Sequence, residues 1–188
     1  MTESTTTAIE IPGYKAGTWV LDPSHSEVSF SVRHMMISKV RGTFAVNSAT
    51  IIAPENPLEA RVEASVDVAS VHTKDEGRDT HLRSADFFDA ETYPTIEFVS
   101  TGVRYEGGDF LVDGDLTIHG VTKPVTFELE FGGFGSDPWG NYKAGATAKT
   151  VINREDFGLT WNAALETGGV LVGKDVTITL DLQGALQA

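Results

Sequence analysis

From Trp19 onward the chain alternates apolar and polar residues. Val28, Phe30, Val32 and His34 share one face, and Glu27, Ser29, Ser31 and Arg33 share the other. A period of two with one apolar face marks a half-buried strand. Phe44 and Val46 continue it, then Leu58, Ala60, Val62, Ala64, Val66 and Val68 alternate with Glu59, Arg61, Glu63, Ser65 and Asp67. The same grammar returns at Ile96 and Phe98, at Phe110, Val112, Gly114, Leu116 and Ile118, and at Val125, Phe127, Leu129 and Phe131. A last run sets Val176, Ile178, Leu180 and Leu182 against Asp175, Thr177, Thr179 and Asp181. Turn sequences separate the later runs: Glu106-Gly107-Gly108-Asp109, His119-Gly120 through Lys123-Pro124, and Gly135-Ser136-Asp137-Pro138. Eight strands are predicted, at 25–34, 40–52, 58–71, 95–105, 109–119, 122–134, 141–152 and 170–184. Short connections make neighbouring strands antiparallel.

Two stretches break the alternation. Around 73–89, Thr73 and Glu76 have the spacing of a capping box, Asp75 and Glu76 suit the first turn of a helix, and Arg83 suits its last. Ser84 restarts a short turn carrying Phe87 and Phe88, rings too large for so short a segment to bury alone, so they are predicted to plug the end of a sheet. The other excursion, 153–169, opens on Asn153 as a cap. Residues 1–16 are polar and unpatterned and read as a flexible tail, leaving one domain over 17–186.

Strands with one dry face and no long helix to cover them must pack on a second sheet or curl closed. Eight is the size at which a barrel can hold one small ligand, and a sandwich is the alternative from pattern alone. Small inward residues decide how full such an interior is. Ala60 and Ala64 on one strand, Ala144, Ala146 and Ala148 on another and Gly114 on a third all leave volume. Either a guest fills it, or Phe30, Phe44, Phe98 and Phe127 reach across and do so.

Composition narrows the function. A net charge of −13 argues against nucleic acid, which needs clustered Lys and Arg. The exception to the acidic character is Arg33, His34, Lys39 and Arg41, which flank the apolar tip Met35-Met36-Ile37. That tip is expected to fold inward and close one end of the barrel; contact with a lipid surface is the alternative. There is no cysteine, so neither disulfides nor thiolate metal sites exist. Residues 1–8 lack the basic and apolar regions of a secretory signal, and no apolar run approaches the roughly 18 residues of a membrane span. The expected localisation is cytoplasmic.

Catalytic constellations are sparse. There is no G-x-S-x-G and no H-E-x-x-H. His25 and His34 stand at an odd offset on one predicted strand and face opposite ways, while Asp113 and Asp115 share an outward face. The pairs Gly107-Gly108, Gly132-Gly133 and Gly168-Gly169 lead into no helix N-terminus that could cradle phosphate. The chain is expected not to be an enzyme, and no cofactor or metal is expected.

A set of motifs in order carries a resemblance. It comprises Asp22-Pro23-Ser24-His25-Ser26-Glu27-Val28-Ser29-Phe30, His34-Met35 through Arg41-Gly42-Thr43-Phe44, and Arg78-Asp79 through Phe88-Asp89. Tyr93-Pro94-Thr95-Ile96-Glu97-Phe98, Gly114-Asp115-Leu116-Thr117-Ile118-His119-Gly120-Val121-Thr122-Lys123-Pro124-Val125 and Asn153-Arg154-Glu155-Asp156-Phe157-Gly158 complete it. Over about 17–184 the chain resembles the YceI family. The resemblance implies an all-β fold, an eight-stranded antiparallel lipocalin-like barrel with short helical excursions at its ends. It also implies a long apolar guest such as a polyprenyl compound, an isoprenoid quinone or a fatty amide, held for sequestration or transport.

The candidate ligand-binding residues are Phe30, Val32, His34, Phe44, Val46, Val62, Val66, His81, Phe87, Phe98, Leu116, Ile118, Phe127 and Leu129, with Trp161 and Asn162 near an end. An excess of acids over 72–91 points to a neutral head group on the guest. An enzyme acting on a bound prenyl or quinone compound through His34 or His81 is the competing reading, and a partner-binding stress protein with a filled barrel is a third. The partners implied are the apolar isoprenoid or lipid, with transient membrane contact and a homodimer left open.

Overall fold

In the computed structural model, which describes residues 9–165 and 169–188, the alternating segments form ten strands. They are β1 (Gly17–Leu21), β2 (Glu27–His34), β3 (Ser38–Phe44), β4 (Val46–Ala53), β5 (Arg61–Asp67), β6 (Thr95–Glu106), β7 (Asp109–Ile118), β8 (Val121–Ser136), β9 (Tyr142–Asn153) and β10 (Val172–Leu186). All pairings are antiparallel and follow the order β1-β4-β5-β6-β7-β8-β9-β10, and β10 pairs back to β1 through Trp19 opposite Leu186 and Leu21 opposite Gly184. This circuit is a closed eight-stranded barrel. The β2–β3 hairpin extends it from the other half of β10, with Phe30 opposite Ile178 and Val32 opposite Val176.

Of the two extra strands, β1 lies before the first predicted one and the other comes from a joint within the predicted strand 40–52. β1 continues into β2 through the single turn Pro23–His25, whose cap is Asp22. β3 continues into β4 with only Ala45 between them. The run 58–71 is trimmed at both ends by short 3₁₀ turns, Pro57–Glu59 and Val68–Ser70. There the side chains of Asn56 and Asp67 accept hydrogen bonds from Leu58 N and Ala69 N, offering the backbone an alternative to the ladder. His25 accordingly lies in a turn, bonded through Nδ1 to Asp22 Oδ2 at 2.8 Å, and not on the strand with His34.

Helix α1 (Glu76–Arg83) and the turn after it cross the end of the barrel where His34 lies. The expected capping box does not form. Asp75 is the cap, its carboxylate accepting from Arg78 N at 3.0 Å. The Thr73 hydroxyl instead donates to Asp79 Oδ1 at 2.5 Å, and Thr73 N donates to the same oxygen at 2.8 Å. Lys74, at φ 64, turns the chain sharply enough to bring Thr73 back onto the helix. Phe88 does act as a plug: its ring stands edge-on to Phe44 at 5.5 Å and packs against two clusters, one around Phe44 and Val66, the other around Leu116 and Phe157.

Two further expectations are revised. Residues 1–8 of the predicted tail lie outside the described residues, while 9–16 pack on the far end of the barrel. Tyr14 donates to Pro54 O at 2.6 Å, Tyr142 donates to Gly13 O, and the Trp19 indole donates to Lys15 O at 3.1 Å. The tip Met35-Met36-Ile37 does not fold inward. A turn closed by Ile37 N donating to His34 O at 3.3 Å carries it outward, and the end it would have closed is occupied by Phe87, Phe88 and Trp161.

Asp79 ties the loop at 72–75 to α1, and this tie is pH-dependent. Burial alone would raise the carboxyl's pKa, but the two Thr73 hydrogen bonds, with His72 and Arg83 nearby, outweigh it and hold the group below its ordinary value. A depressed carboxylate pKa contributes stability above the ordinary value that is lost as pH falls through the native one. Urea denaturation at a series of pH values is therefore expected to show a shallower acid limb for Asp79→Asn than for wild type. At neutral pH the variant is expected to lose about 1–3 kcal/mol. Parallel acid limbs would mean that Asp79 is not tied as described.

Candidate functional site

Inside the barrel the apolar faces do not meet. They enclose a cavity of about 470 Å³, within the span of roughly 300–1,000 Å³ usual for small-molecule sites. Phe30, Val32, Val62, Ala64, Leu129 and Ala146 all point inward yet remain only half-buried, because they face this space instead of other side chains. β5 and β9 stand opposite one another in the eight-membered ring, so Ala64 and Ala146 line the lumen from opposite walls.

Not every small residue contributes free volume. Gly114 and Gly42 serve as floors for Phe98 and Phe30, since a Cβ on either would come within 2.4 Å of the ring above it. Aromatic residues thus fill part of the interior, with Phe98 edge-on to Phe127 at 5.3 Å. The alanines leave the rest open.

The cavity brings together the predicted residues of every wall. β2 gives Phe30, Val32 and His34, β3 and β4 give Phe44 and Val46, and β5 gives Val62 and Val66. Phe98, Leu116, Ile118, Phe127 and Leu129 line it from β6, β7 and β8, and His81, Phe87 and Trp161 from the connections. Asn162 does not reach it. Its side chain is spent on Val172, donating from Nδ2 to Val172 O at 2.7 Å and accepting from Val172 N at 3.0 Å, which splices the 153–169 connection onto β10.

The two ends differ. At one, Ile11, Tyr14, Trp19 and Pro57 line the space. At the other, His81, Phe87 and Trp161 form a ring trio with centroids 4.7–5.3 Å apart, next to His34, Arg78 and Arg154. The His81 ring is oriented by Nε2 against Asp86 Oδ2 at 2.9 Å. The acids that dominate the sequence of this segment are turned to other work, Asp75 to a cap, Asp79 to Thr73 and Asp86 to His81. The polar side chains of this segment that line the cavity are Arg78 and His81.

Arg154 is the residue that the alternation pattern does not find. It is only 3% exposed and makes no hydrogen bond to a carboxylate. Its guanidinium donates to four backbone carbonyls: Gly173 O at 2.7 Å, Leu159 O at 2.5 Å, Trp161 O at 3.0 Å and Val172 O at 3.3 Å. Desolvation lowers its pKa from the ordinary arginine value, and the carbonyl dipoles replace the water it has lost. One side chain therefore fixes the segment carrying Trp161 to the start of β10. The signal for it lies in the motif Asn153-Arg154-Glu155-Asp156-Phe157-Gly158.

With this geometry in view, comparison with known proteins is decisive for the family. The model of the YceI-like domain matches residues 19–184. The chain belongs to the YceI-like family. A UPF0312 protein of Staphylococcus aureus (strain MSSA476) is 39% identical over 160 residues, covering 84% of this chain and 91% of that one. Among solved structures, BcnA of Burkholderia cenocepacia is similar at a TM-score of 0.73 with 26% identity, covering 87% of this chain and 98% of that one. A polyisoprenoid binding domain from Saccharophagus degradans shares the fold at a TM-score of 0.67 and 16% identity, over 92% of this chain and all (100%) of that one. Among the described residues, no group of three or more His, Asp or Glu could hold a metal ion. No helix among them is long and apolar enough to cross a membrane.

Replacing Arg154 by Met keeps most of the volume and removes every donor. Four carbonyls then lose their partner, and the folded state is expected to weaken by about 3 kcal/mol. Hydrogen exchange should accelerate over 159–165 and 169–173 more than over β6 and β7. Uniform acceleration would show that Arg154 supports the whole barrel and not this connection.

Proposed function

We propose that the protein binds a long apolar molecule of the isoprenoid type inside its barrel, to sequester or carry it, without transforming it. The observation that carries this reading is the cavity itself: about 470 Å³, walled by strands whose inward side chains are almost all hydrocarbon, with polar groups gathered at one end. Family membership and the Saccharophagus degradans domain, named for polyisoprenoid binding, support the same class of guest.

The energetics suit a chain of several prenyl units. Burial contributes about 0.8 kcal/mol per carbon, hence about 3–4 kcal/mol for each five-carbon unit. Three or four such units offset an association cost of about 4–15 kcal/mol. A guest of this kind needs an apolar tube with one polar end, and the asymmetry of the two ends matches that.

The head group in this reading is neutral and accepts hydrogen bonds, as a carbonyl or hydroxyl oxygen does. Arg154 has given its donors to carbonyls, and Arg78 has given Nε and Nη2 to Thr73, each at 2.8 Å. The two guanidiniums have thus given six of their ten N–H donors to the protein itself, and His34, His81 and the Trp161 indole are the further groups available to a weaker acceptor. Among the described residues no nucleophile–base pair accompanies them, and binding is therefore preferred to catalysis.

A fluorescent prenyl probe, with and without competitors, tests this. The double change Ala64→Phe with Ala146→Phe places two rings in the lumen from opposite walls and is expected to abolish binding while the far-ultraviolet spectrum remains that of a β protein. In wild type, a prenyl alcohol should displace the probe at least as well as its diphosphate. Undiminished binding by the double variant would overturn the proposed path of the guest, and strong preference for the diphosphate would overturn the neutral head.

A further inference from the structure

The β2–β3 hairpin breaks two local rules at once. Its turn has His34 and Ile37 as outer residues and Met35 and Met36 at the centre, both at positive φ (54° and 63°). That geometry is normally given to Asn-Gly, because a side chain in the left-handed region is strained. The three tip side chains also point into solvent: Met35 is 45% exposed, Met36 53% and Ile37 81%. A strained turn that presents its largest apolar residues to water marks a place where something outside the fold is met.

The charges around the tip say what that is. Arg33 stands directly opposite Lys39, and Arg41 lies two residues further along on the same face. Like charges directly across an antiparallel pair repel. Among the described residues none of the three makes an ion pair; Arg33 donates only to Met36 O, at 3.4 Å. In a chain of 27 acidic residues, the stretch 28–54 contains none. A cationic, acid-free collar beneath an apolar tip is complementary to an anionic lipid surface, with the apolar residues entering the acyl boundary and the collar at the head groups. Protein partners read through ionic contacts alone would have no use for the tip.

The position fits the same partner. The hairpin adjoins the polar end of the cavity: Arg33 and His34 line it, and Met35 N donates to Leu171 O, itself a lining residue, at 2.7 Å. A second exposed apolar side chain, Trp139 at 83%, lies in the turn between β8 and β9 at the opposite end, beside Asp137 and without such a collar. We infer that the tip Met35-Met36-Ile37 with Arg33, Lys39 and Arg41 is a reversible docking surface for anionic bilayers, setting the polar end of the cavity against the membrane. The use of that contact to load or unload a guest rests on the binding function proposed above; the contact itself does not.

Cosedimentation of the full chain with vesicles of phosphatidylglycerol and phosphatidylcholine, against phosphatidylcholine alone, tests the surface. Binding is expected to the anionic vesicles at low salt and to fade as salt rises. Arg33→Gln with Lys39→Gln and Arg41→Gln should weaken it about a hundredfold, at about 1 kcal/mol per charge. Met35→Asn with Met36→Gly, which supplies the residues the turn prefers, should raise the melting temperature and weaken vesicle binding together. Trp139→Ala should leave vesicle binding unchanged. Absence of binding to anionic vesicles at low salt overturns the proposal, as does loss of binding in Trp139→Ala but not in the tip variants. A change in the tip variants from dimer to monomer, with no vesicle binding by wild type, overturns it in favour of a self-interface. Prenyl-probe affinity measured in solution is expected to be unchanged in the Met35→Asn with Met36→Gly variant, whose two residues do not line the cavity; vesicle binding by a protein that takes no probe would sink the lipid-carrier reading and leave the docking surface standing.

Discussion

Closure of the sheet is the constraint on which the rest depends. Once β10 pairs back to β1, the eight strands of the circuit fix a circumference, and the interior must be filled by whatever side chains point into it. Here the inward positions are divided between aromatic rings and alanines. Phe30, Phe44, Phe98 and Phe127 cross part of the space, two of them seated on glycines that would otherwise collide with them. Ala64, Ala144, Ala146 and Ala148 leave the remainder open. A hollow core forgoes the dispersion contacts of a packed one, so it persists only where closure and the rim clusters hold the wall without it.

Those rim clusters explain the two helical interruptions. Phe88 joins the cluster around Phe44 to the one around Phe157, and Arg154 stitches the 153–169 connection to β10 through backbone carbonyls. Both devices seal an end using groups that belong to the connections. The walls remain free for a guest, and polar atoms are satisfied locally: among the described residues no buried side-chain nitrogen or oxygen lacks a partner. The same economy gives guanidinium donors of Arg154 and Arg78 to neutral carbonyl and hydroxyl oxygens of the connections.

Period-two patterning makes most of the wall legible, since each residue's side of the sheet follows from the alternation alone. The joints between β1 and β2 and between β3 and β4 are harder to read, because a single turn at Pro23–His25 or one residue at Ala45 leaves the periodicity nearly intact on either side. Thr73 misleads for a different reason. Its spacing to Glu76 suits a capping box, but Lys74 at positive φ turns Thr73 onto Asp79, and Asp75 takes the cap. Arg154 and Asn162 exchange roles between sequence and structure. Arg154, absent from the candidate site residues, is buried at the cavity, whereas Asn162, one of those candidates, holds a splice. Neither is settled by periodicity, because both depend on carbonyls brought close only by the folded chain. The Met35-Met36-Ile37 tip is equally ambiguous in sequence, its direction being set by backbone dihedrals that composition does not announce.

The central claim is that the barrel is hollow because a lipid-like guest fills it. Native mass spectrometry of the protein as purified, followed by denaturation and solvent extraction of the same sample, tests this most directly. The account predicts a native mass above that of the chain by the mass of one apolar molecule, released on denaturation and recovered in the organic phase as a prenyl-type compound. A native mass equal to that of the chain, together with no uptake of prenyl alcohols or quinones when these are added, would contradict it.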